Sequence, residues 1–325
     1  MQLTTHKRGI NRSTPSLPRI KQKCVPLVIL LLVAEHKMSG YNEKCKLFLL
    51  ALLDTSYIYA LQRLLEGALM TARIDFNCDM GESFGAYQMG QDEEIIKYIT
   101  SANIACGFHA GDPNWMRLTV KLAEEHGVAI GAHPSFPDLA GFGRRNMAVA
   151  PGEAKNDIIY QMGALTAFTS ARKLQHVKPH GAMYNMAVRD EALARAICEA
   201  ILETDPETIM VALAGSKWVD IARDMGLRVA REAFADRAVN ADGTLVPRSK
   251  PGSVIEDIDE VARRSVKMVT EGKVTAITGE EIALSADTLC LHGDTPNSLH
   301  LASSIRSALE AEGVQIVPLG RIVSR

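Results

Sequence analysis

From Arg73 to its end the chain repeats one unit: a short apolar run, a tip of glycine or polar residues, and an amphipathic stretch of helical length. The runs are Ile74–Cys78, Ala102–Gly107, Val128–His133, Leu174–Lys178, Ile209–Ala214, Leu227–Ala233 and Thr288–His292, with Val314–Pro318 as a further candidate. Helices are predicted over Met116–His126, Gly152–Lys173, Asp190–Thr204, Lys217–Met225, Ile258–Glu271 and Pro296–Glu312. Proline suits the first helical turn after Asp112 and after Asp294-Thr295, and Gly127, Gly226, Gly272 and Gly313 sit where a left-handed cap is wanted. Strands alternating with helices demand a mostly parallel sheet covered on both faces. Because no GxGxxG follows the first strand, a closed α/β barrel is expected over residues 71–325 rather than an open doubly wound sheet.

In such barrels chemistry sits at the carboxyl ends of the strands. Those ends are polar here: Asn77 and Asp79, Asn103 and His109, His133, Lys178 and His180, Glu232 and Asp236, then His292 and Asp294. The strand period of two puts Asp75, Asn77 and Asp79 on one side of the first run, a face suited to an amide, an ammonium or a metal; the competing reading is a turn network around Gly81. Gly107-Phe-His109-Ala-Gly111 is a glycine-hinged loop in which His109 can serve as base, ligand or donor, whereas Asp112 reads as a helix cap. The loop 135–145 is a candidate lid, and Arg144-Arg145 either grips an anion or forms a solvated basic turn.

Lys178 follows His176 on one face, with His180 beyond the rigid Pro179. An ammonium in a barrel mouth needs an anionic partner, so substrate contact is weighed against a structural salt bridge. Glu232 and Asp236 open a long loop containing the hairpin signal Asp242-Gly243 and Arg248; Arg237 and Arg248 are read as possible structural partners of the two acids. His292 and Asp294 have the spacing of a base and its orienter, or of a loop and a helix cap.

A zinc site built from His109, His133, His180 and His292 with Asp75 or Asp79 is weighed and not favoured. The HxxxH run from His176 to His180 crosses Pro179 instead of lying on a helix face, and there is no HExxH. A nucleophilic serine is disfavoured by the absence of GxSxG. The six cysteines form no CxxC pair, so buried, reduced thiols in a cytoplasmic protein are expected. A net charge of −2 offers no field for nucleic acid or an acidic membrane surface.

The first seventy residues do not follow the repeat. Six basic residues and no acidic one precede the apolar run 24–34, which is too short to span a bilayer and lacks a small-residue cleavage site. The apolar stretch 47–65 is broken by Asp54, Gln62 and Arg63. Residues 1–70 are therefore expected to be an extension, with translation beginning near Met70 and no membrane role.

The strings 74–85 (IDFNCDMGESFG), 100–113 (TSANIACGFHAGDP), 131–134 (GAHP), 141–145 (GFGRR), 176–181 (HVKPHG), 234–237 (FADR), 246–249 (VPRS) and 292–296 (HGDTP) closely resemble the LamB/YcsF family, described as the A subunit of prokaryotic 5-oxoprolinase. Phe76, Met80 and Met183, where leucine is common in the family, are mild departures. The resemblance implies a seven-stranded barrel of the glycoside hydrolase/deacetylase type. It also implies ATP-dependent opening of 5-oxo-L-proline to L-glutamate in company with subunits B and C, with Mg²⁺ as the counter-ion of ATP. The chain has no GxxxxGK[ST] loop, so the place of ATP stays open.

On this reading Asp79, Lys178, His180, His292 and Asp294 are the candidate catalytic residues. Asp75, Asn77, Asn103, His109, His133, Arg144, Glu232 and Arg248 are the candidate substrate contacts. Asp79 or His180 would activate water, Lys178 and Arg144 would meet developing negative charge, and Asn103 and His133 would orient the substrate. Two other classes stay in view: a stand-alone metal-dependent deacetylase or amidohydrolase, and a non-catalytic subunit that binds substrate for its partners.

Overall fold

The computed structural model describes residues 72–293 and 297–323. The expectations for the extension 1–70, its apolar runs and the start near Met70, and those for Asp294, Thr295 and Pro296, lie outside the described residues.

The elements in order are β1 (Arg73–Met80), α1 (Asp92–Ile95), β2 (Ser101–Ala105), α2 (Pro113–His126), β3 (Ala129–His133), α3 (Pro151–Thr166), β4 (His176–Val177), α4 (Gly181–Ala187), α5 (Glu191–Thr204), β5 (Ile209–Leu213), α6 (Lys217–Asp224), β6 (Val229–Phe234), α7 (Ile258–Thr270), β7 (Lys273–Thr275), β8 (Glu281–Ala283), β9 (Thr288–Leu291), α8 (Ser298–Ala311) and β10 (Gln315–Ile316). β1 through β6 run parallel to their neighbours, and β9 pairs with both β6 and β1, which closes a seven-stranded parallel barrel. The expected eighth run does not enter the barrel. As β10 it pairs only with the start of β1, through Arg73 and Ile74, because β9 already holds the rest of that edge from Asp75 to Cys78.

Helix signals read as expected where they are local. Asp112 accepts from the backbone N–H groups of Asn114 and Trp115 and caps α2, with Pro113 behind it, and Gly127 ends that helix at φ 66°. The hairpin signal is also present, as a turn that bridges Val239 to Leu245. Among the described residues no helix is long and apolar enough to cross a membrane.

The barrel reverses the usual layering of polarity. Along β1 the outward side chains Ile74, Phe76, Cys78 and Met80 are buried in the main apolar core, which lies between the strands and the surrounding helices. The alternate positions Asp75, Asn77 and Asp79 are equally buried but join a hydrogen-bonded column inside the barrel. Near its amino end, Leu319 of a short 3₁₀ turn packs with Ile209, Val211 and Ala230 of β5 and β6.

Asp75 is the lowest member of the column. Its carboxylate accepts hydrogen bonds from Ser101 Oγ (2.6 Å), Thr100 Oγ1 (2.8 Å) and Thr288 Oγ1 (2.6 Å). Burial nevertheless pushes its pKa up to about 6, because three hydroxyl donors do not fully replace water. An acid raised in the folded state binds its proton more tightly there than in the unfolded chain. Its contribution therefore favours folding below its unfolded value of 3.8 and is lost as the pH rises through about 6. The span corresponds to at most about 3 kcal/mol. Asp75→Asn is expected to flatten the pH dependence of unfolding free energy across this window in denaturant titrations; a slope equal to that of the wild type would count against the assignment.

Candidate active site

Above Asp75 the column becomes a relay of amides and charges. His176 Nε2–H donates to Asn103 Oδ1 (2.7 Å), and Asn103 Nδ2 donates to Asn77 Oδ1 (2.7 Å) and Asp79 Oδ1 (2.8 Å). Asn77 Nδ2 in turn donates to Thr288 Oγ1 (2.6 Å) and Glu232 Oε1 (3.2 Å). Each amide thus has its orientation fixed by the next. The ring of His176 lies across β3 at Gly131, the one residue type that leaves room for it.

Lys178 completes the relay. Its ammonium donates to Asp79 Oδ1 (2.8 Å), lies 3.1 Å from Glu232 Oε1, and also reaches Cys290 Sγ (3.0 Å) and Asn77 Oδ1 (3.4 Å). Burial alone would lower its pKa, but Asp79, Cys290 and Glu232 hold it well above the usual lysine value. Burial likewise works to raise Asp79, and His133 and Lys178 outweigh it, so the carboxyl stays well below its ordinary range. Lys178 is therefore a charged hub between two buried carboxylates. Glu232 finds its cation in Lys178, while the guanidinium of Arg237 donates to the carbonyl oxygens of Ser253 and Val246.

Three imidazoles crowd beside Asp79. His133 Nδ1 lies 2.6 Å from the Lys178 carbonyl oxygen and His180 Nε2 lies 2.9 Å from that of Phe142. A carbonyl only accepts, so both nitrogens carry hydrogen, and His133 Nε2 and His180 Nδ1 are left facing each other at 2.9 Å. His109 stacks on His180 with ring centroids 3.8 Å apart, and its Nε2 lies 3.2 Å from Glu82 Oε1. Glu82, His109, His133 and His180 each offer one ligand atom, and these atoms lie within 4.8 Å of one another. Spacing along the chain shows no ligand motif, which is why a metal is not favoured from sequence. The barrel assembles the four residues from the ends of four separate strands, and Glu82, absent from the expected site, is among them.

On the opposite side His292 Nδ1 is 3.1 Å from both carboxylate oxygens of Asp236, and the ring stacks on Phe234. A carboxylate partner fixes the hydrogen on Nδ1 and leaves Nε2 as an acceptor. Among the described residues the partner that orients His292 is thus Asp236; the expected Asp294 lies outside them.

A cavity of about 610 Å³ opens over this floor. Of the expected site residues, Asp79, His133, Arg144, Lys178, His180, Arg248 and His292 line it. Asp75, Asn77, Asn103, His109 and Glu232 do not line it and stand behind those that do. Arg237 also lines it; burial and the guanidinium groups of Arg248 and Arg144 press its pKa down to about 10, against the pull of Asp236. Of the expected arginine pair, Arg145 is tied to Asp138 and Arg144 faces the cavity. Cys78, Cys106 and Cys290 are buried, and burial raises all three thiols, which favours the protonated form.

Residues 74–324 match the family model for LamB/YcsF. The chain belongs to the LamB/YcsF family. A family member from Pyrococcus furiosus, described as the A subunit of 5-oxoprolinase, is 57% identical over 253 residues, covering 77% of this chain and 99% of its own length. One of the same description from Bordetella pertussis is 54% identical over 249 residues, covering 76% and 99%. The crystal structure of a lactam utilization protein from Thermus thermophilus shares the fold with a TM-score of 0.72 at 51% identity, covering 75% of this chain and 99% of that one.

Proposed function

We propose that this protein is the A component of a multi-subunit 5-oxoprolinase that opens 5-oxo-L-proline to L-glutamate with consumption of ATP. Near-complete coverage of family members described as the A component of that enzyme, at 54–57% identity, is the observation that carries this reading. The chemistry accounts for the nucleotide. An unstrained lactam resists hydrolysis, and transfer of a phosphoryl group to its carbonyl oxygen turns that oxygen into a leaving group. Water then adds to the ring carbon, the C–N bond breaks as its nitrogen takes a proton so that the ring opens to an acyl phosphate, and a second water releases phosphate and leaves L-glutamate.

The cavity supports such a sequence. Arg144, Arg237 and Arg248 concentrate guanidinium groups on its wall, which suits the carboxylate of the lactam or a phosphoryl group. His292, oriented through Nδ1 by Asp236, keeps Nε2 as the acceptor a general base needs, and water activation is better given to it than to His180, both of whose nitrogens are engaged. Lys178 and Asn103 hold Asp79 in place at the floor. The volume exceeds what a lactam of nine heavy atoms fills, as a site also admitting a phosphoryl donor from partner subunits B and C requires. ATP with reduced thiols points to the cytoplasm as the compartment.

The test is glutamate release from 5-oxoproline by this chain alone and with its partners, with and without ATP. Release is expected only with partners and ATP, and His292→Ala is expected to lower kcat by about 10²–10⁴. Release by the chain alone, independent of ATP and abolished by chelators, would instead mark a stand-alone amidohydrolase.

A further inference from the structure

The contact between His133 and His180 cannot stand as two neutral rings. Each ring spends its one hydrogen on a carbonyl, so two lone pairs would meet head-on at 2.9 Å unless a cation lies between them. A second hydrogen on His133 Nε2 would also relieve that contact, with Asp79 Oδ2 at 3.3 Å as its other acceptor, but it would not draw in Glu82 and His109. Two further donors converge on the same point: Glu82 Oε1 lies 3.7 Å from His180 Nδ1 and 3.2 Å from His109 Nε2. Four ligands around a tetrahedral ion at the usual bond lengths of about 2.0–2.1 Å stand roughly 3.3 Å apart, the scale of these separations.

The surroundings are built to aim the rings. Phe142 holds a left-handed backbone at φ 53°, a costly conformation for an aromatic residue, and its carbonyl is the one that fixes His180. At Gly143 a Cβ would come within 2.8 Å of both His109 Cβ and His180 Cδ2, so the loop presses on the rings only because that residue is glycine. Carbonyl oxygens behind metal-binding imidazoles commonly select the tautomer that exposes the other nitrogen.

We propose that Glu82, His109, His133 and His180 form a site for a divalent first-row transition metal, with zinc the best fit to three imidazoles and a carboxylate. The ring of His109 is parallel to that of His180 and must turn to bring Nε2 into line; its Nδ1 has no hydrogen-bond partner, so the turn breaks none there. The ion would lie beside Asp79, at the wall of the cavity. This inference rests on the ligand geometry and not on the identity of the substrate.

The experiment uses the full chain without a histidine tag, saturated with Zn²⁺ or Co²⁺ and dialysed against metal-free buffer. One ion per chain is expected, with Co²⁺ showing the visible absorption of a four-coordinate site. His133→Ala and His180→Ala are expected to weaken binding by at least tenfold, as is Glu82→Gln, which removes charge while keeping size. His126→Ala, on the exposed end of α2, should bind as the wild type does. Metal well below one ion per chain, or undiminished binding in Glu82→Gln and in either histidine variant that folds by circular dichroism, would overturn the site.

Discussion

Lys178→Met should destabilise the protein by roughly 3–5 kcal/mol, because it leaves a buried charge pair without its cation. Asp79 and Glu232 approach the same ammonium at 2.8 and 3.1 Å, and both are shielded from water. Methionine fills most of the volume of lysine, so the loss reads the charge and not a cavity. The deficit against wild type should shrink as the pH falls, since protonating the stranded carboxylates removes the cause. Adding Glu232→Gln should restore part of it, because one buried anion then disappears with the cation. Lys178→Arg should not substitute, as a planar fork cannot meet acceptors arranged around a single point. Guanidinium titrations between about pH 5 and 8 would check this, and a loss below about 1 kcal/mol with no pH dependence would show that Lys178 is not the hub. Turnover should fall even at mild pH, where enough of the protein stays folded to assay, because Asp79 loses the group that fixes its position.

Much of the barrel is legible in the sequence because its signals are local. Apolar runs bounded by glycine and polar tips mark all seven barrel strands, and the period of two places Asp75, Asn77 and Asp79 on one face of β1. Misjudged elements are those that tertiary pairing decides. The final run looks like another barrel strand, but an edge already occupied by β9 leaves it two residues beside β1. The helix expected to reach Lys173 ends at Thr166, where Thr166 Oγ1 turns back to the Met162 carbonyl and the chain enters turns. The short hairpin of β7 and β8 and the helices α1 and α4 carry too few residues to show a period.

The candidate site divides in the same way. That polar residues gather at the strand ends follows from their order along the chain; which of them touch does not. Glu82 has no visible partner in its own stretch of sequence because His109 is 27 positions away. Asp236 lies 56 positions from His292, too far along the chain for spacing to pair them. Closure of the barrel supplies these pairings, and no spacing rule along one strand contains them.

Gly131→Ala should be among the most damaging changes of a single methyl group in the barrel. Gly131 faces inward on β3, paired in register with His176 on β4, and a Cβ there would penetrate the His176 ring. Neither escape is cheap. Turning the ring away takes its N–H from Asn103 Oδ1, leaving a buried acceptor unsatisfied at about 1–3 kcal/mol. Holding the ring in place forces β3 from β4, an overpacking cost of about 1–3 kcal/mol. A total loss of roughly 2–5 kcal/mol is expected in denaturant titrations. Because Asn103 also positions Asp79, activity of the assembled enzyme should fall further than stability alone explains. The decisive comparison is the double variant Gly131→Ala with His176→Ala, which removes the colliding ring. It should be more stable than Gly131→Ala alone, a coupling that independent sites do not show. Additive losses in the two single variants would mean that the ring does not occupy the space Gly131 leaves, and that the polar column is held by something other than this close approach.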